Sequence, residues 1–113
     1  MPEVISVYKG SVLQTWSCKV RRKNPQTDKW EDDDLSDVTA IVATMIDAST
    51  EVAKFTDQTA SVDVANSLLE YDPVAANVDT VGYYELRWIA TRGGKPQILP
   101  SDEDNKVYVR VWE

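Results

Sequence analysis

The stretch that most constrains this chain is Gly82-Tyr83-Tyr84-Glu85-Leu86-Arg87-Trp88-Ile89-Ala90. Tyr84, Leu86, Trp88 and Ala90 fall on one side of an extended backbone, and Tyr83, Glu85 and Arg87 on the other. Successive side chains of a strand point to opposite faces, so this period of two predicts a half-buried β-strand. Its aromatic content suits a pleated surface. Gly82 interrupts the chain before it and Gly93-Gly94 turns it afterwards. The rest of the chain is read as material that packs on this strand.

Taken in order, Val4 to Tyr8 predicts a short strand and Val12 to Val20 a longer one, with Val12, Trp16, Cys18 and Val20 sharing a face. Arg21-Arg22-Lys23-Asn24-Pro25 then leaves the sheet, since proline has no amide proton for a ladder. Residues 24–37 read as a polar loop that could hold a short strand at Lys29-Trp30, and Leu35-Ser36-Asp37 as an apolar anchor before a turn. Val38 to Asp47 is apolar on both faces and predicts an interior strand covered on both sides, with a turn at 48–51 and a short return strand at 52–55. Between 60 and 71 helical and strand spacings compete; the surrounding pattern favours a strand at 67–71. Asp72 is placed to cap a short helical turn that starts at Pro73 and runs through Val74-Ala75-Ala76. Gln97-Ile98-Leu99 and Lys106 to Trp112 complete the set. The expectation is one all-β domain over residues 1–113, an antiparallel sandwich of about seven or eight strands with at most one short helical turn.

The side chains narrow the chemistry. With no histidine, the commonest general base and metal ligand is missing, and Ser-His-Asp and Cys-His arrangements are impossible. One cysteine permits no internal disulfide, and Cys18 reads as a small buried apolar residue. No glycine-rich phosphate loop occurs. The acidic runs 31–34 and 102–104 lack the ligand spacing of a calcium loop and read as solvated loops. A net charge of −7 opposes general affinity for nucleic acid. The local cations Lys19, Arg21, Arg22 and Lys23 read as a solvated strand end, or as partners for the acidic runs of this chain or of a neighbouring copy. No apolar run is long enough to span a bilayer, and the N-terminal residues lack the pattern of a signal peptide. These readings predict a non-enzymatic protein with no cofactor, no metal, no nucleic-acid partner and no membrane partner, made in cytoplasm.

Four tryptophans are many for 113 residues. Trp16 and Trp88 fit core positions. Trp30 lies in a polar loop and Trp112 near the terminus, so these two are the candidate contact residues, for a protein partner or for stacking on a sugar.

Several motifs recur together: Leu35-Ser36-Asp37-Val38-Thr39-Ala40 opening an apolar strand, Leu69-Glu70-Tyr71 before Asp72-Pro73, Gly82 to Trp88 after a loop, and Leu99-Pro100-Ser101-Asp102 before a valine-rich strand. This order resembles the N-terminal immunoglobulin-like domain of the upper baseplate proteins of lactococcal phages and related small structural proteins of tailed phages. The resemblance covers about residues 10 to 113. It implies an immunoglobulin-like β-sandwich in the virion, oligomeric in the particle, whose partners are other virion structural proteins at the tail, the baseplate or the capsid surface. It carries no catalytic residues. Glu113 is not followed by the stalk or head-binding helix of that family, which leaves decoration or cementing of a capsid or tail as a role beside that of an adaptor. A carbohydrate-binding adhesion module, with Trp30 and Trp112 on one surface, is the alternative expectation.

Overall fold

The computed structural model describes residues 3–11, 14–100 and 106–113. Eleven strands account for most of them: β1 (Glu3–Tyr8), β2 (Trp16–Lys19), β3 (Arg21–Asn24), β4 (Lys29–Asp32), β5 (Val38–Asp47), β6 (Ala53–Thr59), β7 (Ser61–Asp63), β8 (Leu68–Tyr71), β9 (Gly82–Arg92), β10 (Lys95–Leu99) and β11 (Val107–Trp112). A 3₁₀ turn at Ala75–Val78 is the helical piece. The all-β expectation holds, with eleven strands rather than seven or eight.

The larger sheet runs β1-β11-β9-β5-β6, with β10 also paired to β9; the second runs β2-β8-β7; β3 and β4 form a separate ribbon. A six-stranded sheet opposed by a three-stranded one has the two-layer architecture of an immunoglobulin-like sandwich. Rings and bonds cross between the layers. Phe55 on β6 stacks on Tyr71 of β8 at 5.1 Å, and Trp88 Nε1 of β9 donates to the Glu70 carbonyl of β8 at 3.4 Å. The core between them holds Trp16, Cys18, Leu69, Met45, Leu86, Trp88, Val109 and Val111. The strand expected at the centre is central: β9 pairs with β5 on one side, and with β11 and β10 on the other.

Several expectations are corrected. The sandwich is not wholly antiparallel, because β1 pairs with β11 in parallel, from Glu3↔Val107 to Tyr8↔Trp112. A parallel pair needs a long connection between its strands, and here nearly the whole chain supplies one. The short strand expected at Lys29-Trp30 is present and extends to Asp32, but Arg21 to Asn24 is a strand as well and not the exit from the sheet. Arg21–Asn24 and Lys29–Asp32 pair as a ribbon whose side chains alternate but bury on neither face, so hydrophobic patterning gave no signal. The return strand is longer than 52–55; it absorbs a bulge at Asp57, whose amide donates to Thr44 Oγ1 at 3.1 Å. The strand expected at 97–99 begins earlier, at Lys95. The helical turn starts two residues later than expected and Asp72 does not cap it. Asn77, inside the turn, accepts from the Val74 amide and from the Tyr71 hydroxyl, both at 2.8 Å, while Asp72 accepts from Thr15 Oγ1. The outer face of β5 is covered only in part, since Val42 and Ile46 are half-buried and Ala40 is exposed. Val12 and Leu13, the start of the second expected strand, and the acidic run 102–104 lie outside the described residues.

The strand at 67–71, the turn after Leu35 and the burial of Cys18 agree with the sequence reading. Burial, helped by the charge of Glu3, pushes the Cys18 thiol up to about 12, which keeps it protonated and inert.

Candidate protein-contact surface

On β11 the valines 107, 109 and 111 enter the core, so Tyr108, Arg110 and Trp112 point outward. On β9 the same alternation turns Tyr83, Glu85 and Arg87 outward, and on β1 it turns Val4, Ser6 and Tyr8 outward. Register then assembles these three rows into one surface. Tyr8 lies beside Trp112, Arg110 beside Tyr83, and Tyr108 beside Glu85.

The side chains interlock across the strands. Tyr83 and Tyr108 are diagonal neighbours, and their rings stack at 5.1 Å with 11° between planes. The Arg110 guanidinium sits 4.3 Å from the centre of the Trp112 ring and 5.8 Å from that of Tyr83. A cation over an exposed aromatic face contributes about 0.5–1 kcal/mol, which favours this arrangement of the side chains. Tyr8 and Trp112 remain 70% and 44% exposed, too much for rings that serve only the core.

A charged row borders the rings. Glu85 accepts from Arg87 Nε and lies 3.7 Å from Lys106 Nζ. Burial raises the Glu85 carboxyl, but the Arg87 hydrogen bond and the charges of Arg87 and Lys106 outweigh it and hold the group below the usual glutamate range. The same bond raises Arg87 above its ordinary value. The outer face of this sheet therefore presents a cluster of rings bordered by paired charges.

Of the two residues singled out in the sequence, Trp112 belongs to this surface and Trp30 does not. Trp30 sits on β4, 51% exposed, opposite Lys23. The base of its ribbon is fastened near the last residue of β9, where Arg92 Nη1 donates to Asp33 Oδ2 at 3.1 Å. Trp112 follows Val111, which lies opposite Gly82, the first residue of β9. The two tryptophans are thus at opposite ends of the longest strand and form no joint platform. Sequence reasoning missed Tyr8, Tyr83, Tyr108 and Arg110. The alternation showed which of them point the same way, but their adjacency depends on pairing between β1, β9 and β11, which are far apart in the chain.

The acidic run 31–34 is not a uniformly solvated loop. Glu31 and Asp32 are exposed on β4, whereas Asp33 is buried and paired with Arg92. Asp32 also pairs with Lys19 at 3.2 Å and Arg21 at 3.6 Å, so the local cations meet the acidic run of their own chain. Among the described residues no group of three or more acidic, cysteine or histidine side chains could hold a metal ion, and no helix is long and apolar enough to cross a membrane. The chain matches no protein-family model and no curated protein.

Proposed function

We propose that this protein is a non-enzymatic structural component of a tailed-phage virion, at its tail, baseplate or capsid surface, and that the outer face of β1, β11 and β9 docks on another virion protein. The observation that carries the docking surface is the cluster of Tyr8, Tyr83, Tyr108 and Trp112 around Arg110 on an open sheet face. Tyr, Trp and Arg are the residues that dominate the energetics of protein interfaces. The virion as the setting rests on the motif order that resembles the baseplate family. The carbohydrate alternative loses its expected feature, because Trp30 and Trp112 are separated and Arg110 covers a face of the Trp112 ring.

Particles assembled with Arg110→Glu or Trp112→Ala test the reading. Both positions are exposed, so the variants are expected to fold and yet to be missing from purified particles. Normal incorporation of both, together with normal stability and adsorption of particles lacking the protein altogether, would overturn it.

A further inference from the structure

We propose that the β3–β4 ribbon of one copy docks in a hollow at the far end of a second copy, so that the protein self-associates head to tail. The ribbon contributes no side chain to the core. Seven of its eight strand residues are exposed and Asn24 is half-buried. A lone two-stranded hairpin is marginal in water, and one that carries a half-exposed indole gains by covering it. The cross-strand register puts Arg21, Lys23, Asp32 and Trp30 on one face. Asp32 steadies Arg21 and Asp28 steadies Lys23, which holds two cations beside the ring. Residues 21–32 carry four basic and three acidic side chains, +1 in all, so the remainder of a chain of net charge −7 carries −8. The ribbon and the body of another copy are therefore opposite in net charge.

That body has a place for it. A hollow of about 360 Å³ opens between the β5–β6 turn and the start of β9, lined in part by Asp47, Thr50, Val52, Ala53, Lys54 and Tyr84. Val52 is 66% exposed on its wall. The charge of Lys54 is matched by Asp79, whereas the Asp47 carboxylate at the rim accepts from the Ser49 and Thr50 amides and the Ser49 hydroxyl and has no cation paired with it among the described residues. An apolar wall with an acidic rim suits an indole on a ribbon that carries a surplus of positive charge.

Geometry excludes an intramolecular fit. Asp47 lies opposite Tyr84 near the start of β9, whereas the ribbon is fastened through Asp33 to Arg92 at its end. Eight residues of strand separate the two levels, roughly 26 Å at the usual rise. A ribbon in a hollow leaves one free ribbon and one free hollow on each pair, so addition continues until a ring closes or a filament grows.

Sedimentation of the purified chain over a concentration series tests this. The wild type is expected to exceed the mass of a dimer as concentration rises. Trp30→Ala, which blunts the ribbon, and Val52→Arg, which blocks the hollow with like charge, are each expected to weaken association about 30-fold or more. Lys23→Glu gives a second ribbon variant with the ring intact, and near-ultraviolet circular dichroism verifies that each is folded. Mixing Trp30→Ala with Val52→Arg should restore heterodimers and nothing larger, because the mixture contains one competent hollow and one competent ribbon per pair. A wild type that stays monomeric up to its solubility limit, folded variants that associate like the wild type, or a mixture that gives no heterodimer would each overturn the proposal. Arg110→Glu, on the outer sheet face, should leave self-association intact, so failure of the virion reading and failure of this one are distinguishable.

Discussion

Tyr84 is the inward residue nearest the start of β9, and its ring lies back over Gly82 so that its hydroxyl donates to the Thr80 carbonyl at 2.9 Å. This ties the corner before β9 to the strand itself, as a tyrosine does at the same place in immunoglobulin domains. The position beneath the ring has no room for a side chain. A Cβ on Gly82 would meet the Tyr84 hydroxyl at 3.0 Å and the ring at 3.1 Å. Tyr84→Phe should therefore cost about 1 kcal/mol, the net worth of a hydrogen bond, in urea unfolding. Gly82→Ala should cost about 1–3 kcal/mol, as overpacking does, because the ring must shift and lose the same bond. If the bond alone explains both, the two losses do not add in the double variant. Glu85 makes a different prediction. Its folded pKa lies below the unfolded value, so its stabilising contribution is complete above the unfolded pKa and is lost as pH falls through the folded one. Glu85→Gln should flatten the acid limb of a stability–pH curve while leaving the limb above neutrality unchanged.

At the scale of elements, the ribbon and the sandwich are joined through a narrow base. Asp33 N donates to the Val20 carbonyl at 3.0 Å, Ser67 Oγ donates to the Asp33 carbonyl at 2.7 Å, and Arg92 reaches Asp33, the Asp34 carbonyl and Asp37. All of these lie outside residues 21–32, so the base can close without the ribbon. Replacing 21–32 by Asn-Gly, the sequence that best turns a two-residue hairpin, should change the free energy of unfolding by no more than about 1 kcal/mol. Thermal and urea unfolding check this, and a larger loss would mean that the ribbon shields the core. Sequence patterning sees elements of this kind poorly. Alternation in β9 and β11 was plain because one face is buried and the other is not. In β3 and β4 both faces are wet, so Arg21 to Asn24 and Lys29 to Asp32 carry no apolar rhythm. In β6 the bulge at Asp57 breaks the period just where a reader would extend it.

For the whole molecule, the two layers and their core were legible in the sequence, down to the inward positions of Trp16, Cys18, Leu86 and Trp88. What was not legible is what depends on distant partners. The parallel pairing of β1 with β11, and hence the meeting of Tyr8 with Trp112, joins residues from opposite ends of the chain. No local period encodes it. The same holds for Arg92, whose partners Asp33 and Asp37 lie more than fifty residues away and turn an acidic run from solvated charge into a clasp. Strand β9 also shows a division of labour along one edge. Leu99 of β10 pairs with Trp88 and Val107 of β11 pairs with Leu86, so a single residue would be enough to carry the chain from one pairing to the next, yet 100–106 lie between them. Both ends of that connection, Leu99 and Val107, are buried in the core, so its two anchor points are set by packing. Lengthening the chain between these two anchors should therefore leave the pairing of β10 and β11 with β9 in place, which makes the connection a position to try first for a grafted tag.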